Sequence, residues 1–309
     1  MIPVLIIEGP TASGKSALAM AMAESLGSHI ISADSRQVYK YLDIGTAKPD
    51  QTDRERVKHH FVDFLEPNQA YNAGAFVQAA GEIISGLHYQ GLVPVICGGT
   101  GLYIRSLLEG LCKLPPIPAV VREELIGELG SRSLAELHEE LNQVDPVSAG
   151  KISSNDKQRI VRALEVYRYT AKPLSQHWQE QNPPQSYRAF RILIAPPREL
   201  LYSRIDSRLD QMLSQGLIEE IKAVLQMGYS AHDPGLNSVG YKEFIPFLQG
   251  EQSLGEALLL AKQHSRNYAK RQMTWYRKQT FDLTILSSDF NLSDINRLLS
   301  DKLNPSEGL

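Results

Sequence analysis

The sequence predicts an α/β protein: a parallel sheet flanked by helices, with an inserted all-helical subdomain. Three observations carry this reading. Short apolar strand patterns alternate with helical ones in the first third, the first of them runs directly into a glycine-rich loop, and a stretch with no strand signal lies between two Pro-rich joints. Strands interleaved with helices of this length require right-handed crossovers, and therefore parallel strands covered on both faces.

Taken in order, residues 4–7 form a short strand and 15–26 a helix that Gly27 closes at the C′ position. An Ile-rich second strand follows over 29–33, and 60–64 reads as a third. Residues 73–88 are an amphipathic helix with Phe76, Ile83, Ile84 and Leu87 inward. A buried strand over 93–97 then leads into Gly98-Gly99-Thr100-Gly101 and a helix over 102–111. Lys113-Leu114-Pro115-Pro116-Ile117-Pro118 opens the strand-free segment and Gln181-Asn182-Pro183-Pro184-Gln185 closes it. The expected division is a core of 1–116 with 188–309, and an insertion of 117–187. Beyond it come a strand over 190–195, a helical stretch over 198–227 broken near Gly216, and a short helix over 242–248. A long helix over 254–279 and a strand over 283–286 complete the pattern.

At 309 residues and 42% hydrophobic, the chain can bury a full core. A net charge of −3 excludes a uniformly basic coat, so a polyanion site has to come from local clusters of Lys and Arg. Two cysteines, Cys97 and Cys112, argue against a disulfide scaffold and fit a reducing compartment. No apolar run has the length of a signal peptide or a membrane span, so a cytoplasmic location is expected. His59, His60 and the other histidines lack the spacing of a zinc site.

Gly9-Pro10-Thr11-Ala12-Ser13-Gly14-Lys15-Ser16 matches the pattern of a phosphate-binding loop between strand and helix, making the core P-loop NTPase-like. Backbone N–H groups wrap a di- or triphosphate, Lys15 reaches its outer oxygens, and Ser16 is placed to ligate Mg2+ at the helix N-terminus. The loop specifies a polyphosphate without saying which.

Ligands of open parallel sheets gather beyond the carboxyl ends of the strands. Asp34, with Ser35, Arg36 and Gln37, follows the second strand, and Thr100 follows the strand ending at Cys97. Asp34 reads as a magnesium ligand or a general base, or else as a turn former. Thr100 caps the next helix or bonds a phosphate oxygen. Arg204 and Arg208 lie four apart on one helix, either paired with Asp206 or Asp210 or neutralising a leaving polyphosphate.

Between Ala257 and Phe281 there is no acidic residue, while Lys262, Arg266, Lys270, Arg271, Arg277 and Lys278 are interleaved with Tyr268, Trp275 and Tyr276. One-sided charge with stacking aromatics suits a polynucleotide backbone. The insertion adds Lys157, Arg159 and Arg162 on a helix that Asn155 can cap, or simply a solvated face.

The loop, then Asp34-Ser35-Arg36-Gln37-Val38-Tyr39 and Asp43-Ile44-Gly45-Thr46-Ala47-Lys48-Pro49, resembles the tRNA dimethylallyltransferase (isopentenyltransferase) family. The likeness continues through His59-His60, residues 98–103, Asn155-Asp156, 158–165, Val239-Gly240-Tyr241 and 269–275. The chain ends soon after the last strand, which matches the bacterial form.

The resemblance implies transfer of a dimethylallyl group from dimethylallyl diphosphate to N6 of the adenosine at position 37, next to the anticodon. The tRNAs are those reading codons that begin with U, and the products are N6-(dimethylallyl)adenosine and diphosphate. It assigns Asp34, Thr100 and Arg208 to the reacting centre. Gly9 to Ser16 would hold the diphosphate with Mg2+. Asp34, Ser35, Arg36, Gln37, Thr100, Arg122, Gln158, Arg159, Ile160, Val161, Arg162, Gly240, Tyr241, Lys270, Arg271, Trp275 and Arg277 would contact tRNA. A monomer with no membrane partner is expected, with the adenine drawn out of its stack into a channel between core and insertion. A relative that prenylates free AMP or ADP, a small-molecule kinase and a non-catalytic RNA-binding protein are the alternatives.

Overall fold

The computed structural model describes residues 1–112, 114–180, 186–287 and 290–303. Contacts divide the chain into one unit of 1–108 with 185–309 and a second of 109–184, rather than at 116 and 187. Lys113 and the joint Gln181 to Gln185 lie outside the described residues.

The first unit begins with β1 (Ile2–Glu8), α1 (Lys15–Ser25), β2 (Ile30–Ser32), α2 (Gln51–Arg56) and β3 (His59–His60). It continues through α3 (Ala73–Tyr89), β4 (Val95–Gly98) and α4 (Gly101–Glu109). The second unit holds α5 (Ala119–Glu128), α6 (Leu134–Val144), α7 (Pro146–Ala149), α8 (Lys157–Thr170) and α9 (Leu174–Gln179). The chain returns to the first unit with β5 (Tyr187–Ile194), α10 (Arg198–Ser214), α11 (Leu217–Gln226), α12 (Ile245–Leu248), α13 (Leu254–Tyr276), β6 (Leu283–Ile285) and α14 (Leu292–Leu303).

Six parallel strands pair in the order β3-β2-β4-β1-β5-β6. Alternation along β1 splits its apolar side chains between two layers. Leu5 and Ile7 pack with Leu18, Met22, Ile192 and Ile194, while Val4 and Ile6 pack with Phe76, Ile84, Ile96 and Ile104 on the opposite face. Every one of these side chains is buried, which is why β1 carries no polar face.

Three sequence expectations change. The strand expected over 60–64 stops at His60, because Phe61 and Asp63 take positive φ values of 62° and the extended backbone cannot continue. Helix α2 was not expected, since none of its residues is buried and it offers no apolar stripe. Helix α14 was also not expected, although Ile295, Leu299 and Leu303 recur every four residues and all three enter the core. The break near Gly216 is confirmed, with φ at 100° between α10 and α11.

The second unit has its own apolar core of residues such as Leu125, Leu137, Leu141, Ile160 and Leu164. Buried Asp145 joins two helix starts there, its carboxylate accepting from Ser148 N at 3.0 Å, Ser148 Oγ at 2.6 Å and Ser175 N at 2.9 Å. Helix α8 is capped by Asp156, which accepts from Arg159 N at 3.2 Å, and not by Asn155. Among the described residues no helix is long and apolar enough to cross a membrane.

At the sheet edge His29 Nδ1 and His60 Nε2 lie 3.0 Å apart, a hydrogen bond that needs one ring to donate and the other to accept. Burial, the His29 ring and Lys58 push His60 down to about 4, and burial lowers His29 as well. An unfolded chain takes up the His60 proton near pH 6.5, which the folded chain refuses until near 4. Stability is therefore complete above about pH 6.5 and declines as pH falls toward 4. Urea midpoints at pH 7 and 5 are expected to differ less in His60→Asn than in the wild type, and an unchanged difference would rule out this pair as the cause.

Candidate active site

Because β4 lies between β2 and β1, three loops meet at the carboxyl edge of the sheet. The phosphate loop leaves β1, residues 33–37 leave β2, and Gly98-Gly99-Thr100 leaves β4. Close approach decides the glycines: a Cβ at Gly98 would stand 2.1 Å from Ala33 O. Thr100 N donates to Ala33 O at 3.2 Å, and Thr100 Oγ1 accepts from Ser35 N at 3.0 Å. Thr100 Oγ1 therefore ties the β4 loop to the residue directly after Asp34.

A cavity of about 270 Å³ lies where these loops converge. Asp34, Ser35, Arg36, Gln37, Arg208 and Gly240 line it, together with Thr11, Lys15 and Ser16 of the phosphate loop. Gly14 starts α1 at φ 96°, a conformation that suits glycine, and the exposed Ser16 hydroxyl sits in the first turn. Lys15 Nζ donates to Pro10 O at 3.3 Å. Burial pulls its ammonium below the ordinary range, with Cys97 and Asp34 opposing and Arg208 reinforcing that pull. Burial likewise lowers Arg208, and Asp34 counters it. Two desolvated cations therefore flank one carboxylate, an arrangement that awaits further negative charge. Asp34 Oδ1 accepts from Arg36 N at 2.8 Å, which orients the carboxylate.

Cys97 also lines the cavity, and its thiol is pushed up to about 11 by burial, with Lys15 opposing and Asp34 adding, so it stays protonated. Tyr268 on α13 is raised to about 12, first by burial and then by Asp34, and presents a neutral phenol to the cavity. A second cavity of about 470 Å³ shares Ala47, Arg208 and Met212 with the first.

Several expected roles move. Asp206 and Asp210 do not pair with the arginines of their own helix: Arg266 Nη1 contacts Asp206 at 2.6 Å and Lys262 Nζ contacts Asp210 at 2.6 Å, both from α13. Arg204 instead donates to Ser13 O at 3.4 Å. Those two ion pairs remove Lys262 and Arg266 from the polyanion-facing set, leaving Lys270, Arg271, Arg277 and Lys278 exposed. Tyr276 is buried with its hydroxyl donating to Gly9 O at 3.3 Å, so it is no stacking platform. Trp275 packs on Gly101, with the Arg105 guanidinium 4.9 Å over its ring. Tyr241 is fully buried and donates to Glu220 Oε1 at 2.7 Å, and Ile160 and Val161 are buried in the second unit. From that stretch Gln158 and Arg159 are exposed and Arg162 is partly so, while Arg122 on α5 is exposed.

Residues that sequence reasoning missed do the holding. Glu220 accepts from the amides of Asp43 and Ile44, each at 2.8 Å, and from Gly45 at 3.3 Å, placing Gly45, Thr46 and Ala47 in the cavity wall. Glu243 accepts from Gly240 N at 2.8 Å. Gln272 of α13 bonds both the phosphate loop and Gly99. No linear pattern marks Glu220 or Gln272, because each acts on backbone distant in sequence, whereas Glu243 holds an amide of its own turn; among the three only Gln272 lies within a quoted motif.

The fold and cavity define a P-loop α/β group-transfer enzyme carrying an inserted helical unit. Residues 37–279 match the family model described as IPP transferase. The chain belongs to that family. It is 45% identical over 278 residues to the tRNA dimethylallyltransferase of Geobacter metallireducens, covering 90% of each chain. The crystal structure of the full-length tRNA isopentenylpyrophosphate transferase of Bacillus halodurans is similar with a TM-score of 0.72 and 32% identity, covering 100% of both chains. A eukaryotic dimethylallyltransferase captured acting on tRNA is similar with a TM-score of 0.83 and 26% identity, over 98% of this chain and 79% of that one.

A Cβ at Gly45 would lie 2.4 to 2.7 Å from atoms of the buried Tyr241 ring. Gly45→Ala is expected to cost about 1–3 kcal/mol in urea unfolding by overpacking. A wild-type midpoint would show that the ring yields.

Proposed function

We propose that this chain transfers a dimethylallyl group from dimethylallyl diphosphate to N6 of the adenine beside the anticodon of tRNA, releasing diphosphate. The observation that carries the reading is the joint placement of Asp34, Lys15 and Arg208 around one cavity. An exocyclic adenine amine is a weak nucleophile because its lone pair is delocalised into the ring. A carboxylate that accepts its proton as the C–N bond forms therefore lowers the barrier, and Asp34, held through Oδ1, has Oδ2 for that proton. The breaking bond is the allylic C–O bond, whose electron pair leaves with the diphosphate. Lys15, Arg208 and the amides at the start of α1 spread that charge, and their desolvation makes each worth more than it would be in water.

The donor set suits Mg2+ held mainly by substrate: Ser16 offers one exposed hydroxyl beside the cradle, and no cluster of three His, Cys, Asp or Glu lies among the described residues. When bound there with the diphosphate, the ion supplies Lewis-acid stabilisation of the leaving group.

Lys270, Arg271 and Arg277 on the first unit, and Arg122, Gln158, Arg159 and Arg162 on the second, offer the phosphate contacts an anticodon arm requires. We place the enzyme in the cytoplasm with its tRNA substrate and propose that it acts as a monomer.

The test is incubation of an unmodified tRNA transcript with Mg2+ and dimethylallyl diphosphate, followed by mass analysis of its nucleosides. Gain of one dimethylallyl unit on a single adenosine supports the reading; label passing instead from ATP to a metabolite, or free AMP outperforming tRNA as acceptor, ends it. Asp34→Asn keeps the bond to Arg36 N but loses the base, and is expected to lower the single-turnover rate about 10²–10⁴-fold with tRNA affinity nearly unchanged. Arg271→Ala is expected to weaken tRNA binding and flatten the salt dependence of log K by about one unit of slope, measured by titration across salt concentrations.

A further inference from the structure

The side-chain amide of Gln272 touches two separate backbone segments of the site. Its Oε1 accepts from Thr11 N in the phosphate loop at 2.9 Å, and its Nε2 donates to Gly99 O at 2.9 Å. The residue is buried at 8% exposure, and a Cβ at Gly99 would meet Nε2 at 2.5 Å, so the amide is seated against bare backbone. Its neighbour on the helix reinforces the same contact, since Tyr276 reaches Gly9 O at 3.3 Å. From Gly99 the chain passes to Thr100, whose Oγ1 holds Ser35 N at 3.0 Å, directly after Asp34. A continuous path of hydrogen bonds and covalent bonds therefore runs from Thr11 through Gln272, Gly99, Thr100 and Ser35 to the carboxylate.

We infer that Gln272 is a positioning residue for the prenyl transfer, setting the spacing between the diphosphate cradle and Asp34. The inference rests on the function proposed above. The loops after β4 and β2 are joined by the backbone bond from Thr100 N to Ala33 O, but among the described residues no such bond joins the phosphate loop to Gly98-Gly99-Thr100, so that separation depends on side-chain tethers. A planar amide offers one acceptor and donors at a fixed separation, which suits a carbonyl on one loop and an N–H on the other. Displacement of transfer by about 1 Å costs about 100-fold in rate even when both substrates still bind.

The experiment compares full-length wild type, Gln272→Met and Gln272→Glu. Methionine keeps length and apolar volume but loses both bonds, whereas glutamate keeps an acceptor for Thr11 N and sets a carboxylate against Gly99 O. Thermal midpoints, dissociation constants for tRNA and for dimethylallyl diphosphate, and single-turnover rates with both substrates saturating are measured. The expected result for the methionine variant is a folded protein with tRNA affinity within about threefold of wild type and a rate about 100-fold lower. The glutamate variant is expected to keep donor affinity closer to wild type and still be slow. A methionine variant whose saturated rate stays within about threefold of wild type overturns the inference, as does a loss that disappears once donor saturates. Should the methionine variant not fold, the glutamate variant decides in the same way. If wild type itself leaves tRNA unmodified, the functional reading has failed and takes this inference with it; if wild type is active and both variants match it, only the role of Gln272 is lost.

Discussion

The site depends on the pairing of β4 between β2 and β1. Cys97 is registered with Ile7 on one side and Ser32 on the other, so the three strands end level and their loops are forced to share one space. A slip of one residue would turn Ile6 and Ile7 to the wrong layers of a core in which both are fully buried, and this holds the register. The glycines at the strand ends follow from the same crowding, because Ala33 approaches Gly98 too closely for any side chain.

Around that edge the electrostatics are arranged ahead of any ligand. Lys15 and Arg208 are held against desolvation with Asp34 as their nearby anion, which leaves the cavity short of negative charge. A diphosphate would supply it, and the amides at the start of α1 point the same way. The protonated Cys97 and the neutral Tyr268 add no charge of their own, so the field in the cavity is set by Lys15, Arg36 and Arg208 against Asp34.

Helix α13 serves the core and the surface at once. Its first half is neutralised against the acidic residues of α10, and its last turns are keyed by Gln272, Trp275 and Tyr276 into the loops of the site. Only the far-end cations, Lys270, Arg271, Arg277 and Lys278, stay exposed, so the polyanion-facing stretch is shorter than the run of basic residues suggests. The loop after β2 is held in a comparable way, with Glu220 occupying three backbone amides and Tyr241 filling the space beside Gly45.

Much of this was legible in the chain itself. Periodicity and turn residues determined five of the six strands closely, the phosphate loop announced its own chemistry, and Asp34 declared itself by its place after a strand. These are local properties, fixed by neighbours a few residues apart. Tertiary structure alone decided which charges are paired, since Lys262 and Arg266 meet Asp210 and Asp206 of a helix much earlier in the chain. It alone also separated the buried Tyr241, Ile160 and Val161 from residues that reach solvent, and revealed Glu220 and Gln272 as the groups that hold the loops. A hydrogen bond between a side chain and distant backbone leaves no periodic trace in the sequence, because its partner is a peptide group that every residue shares.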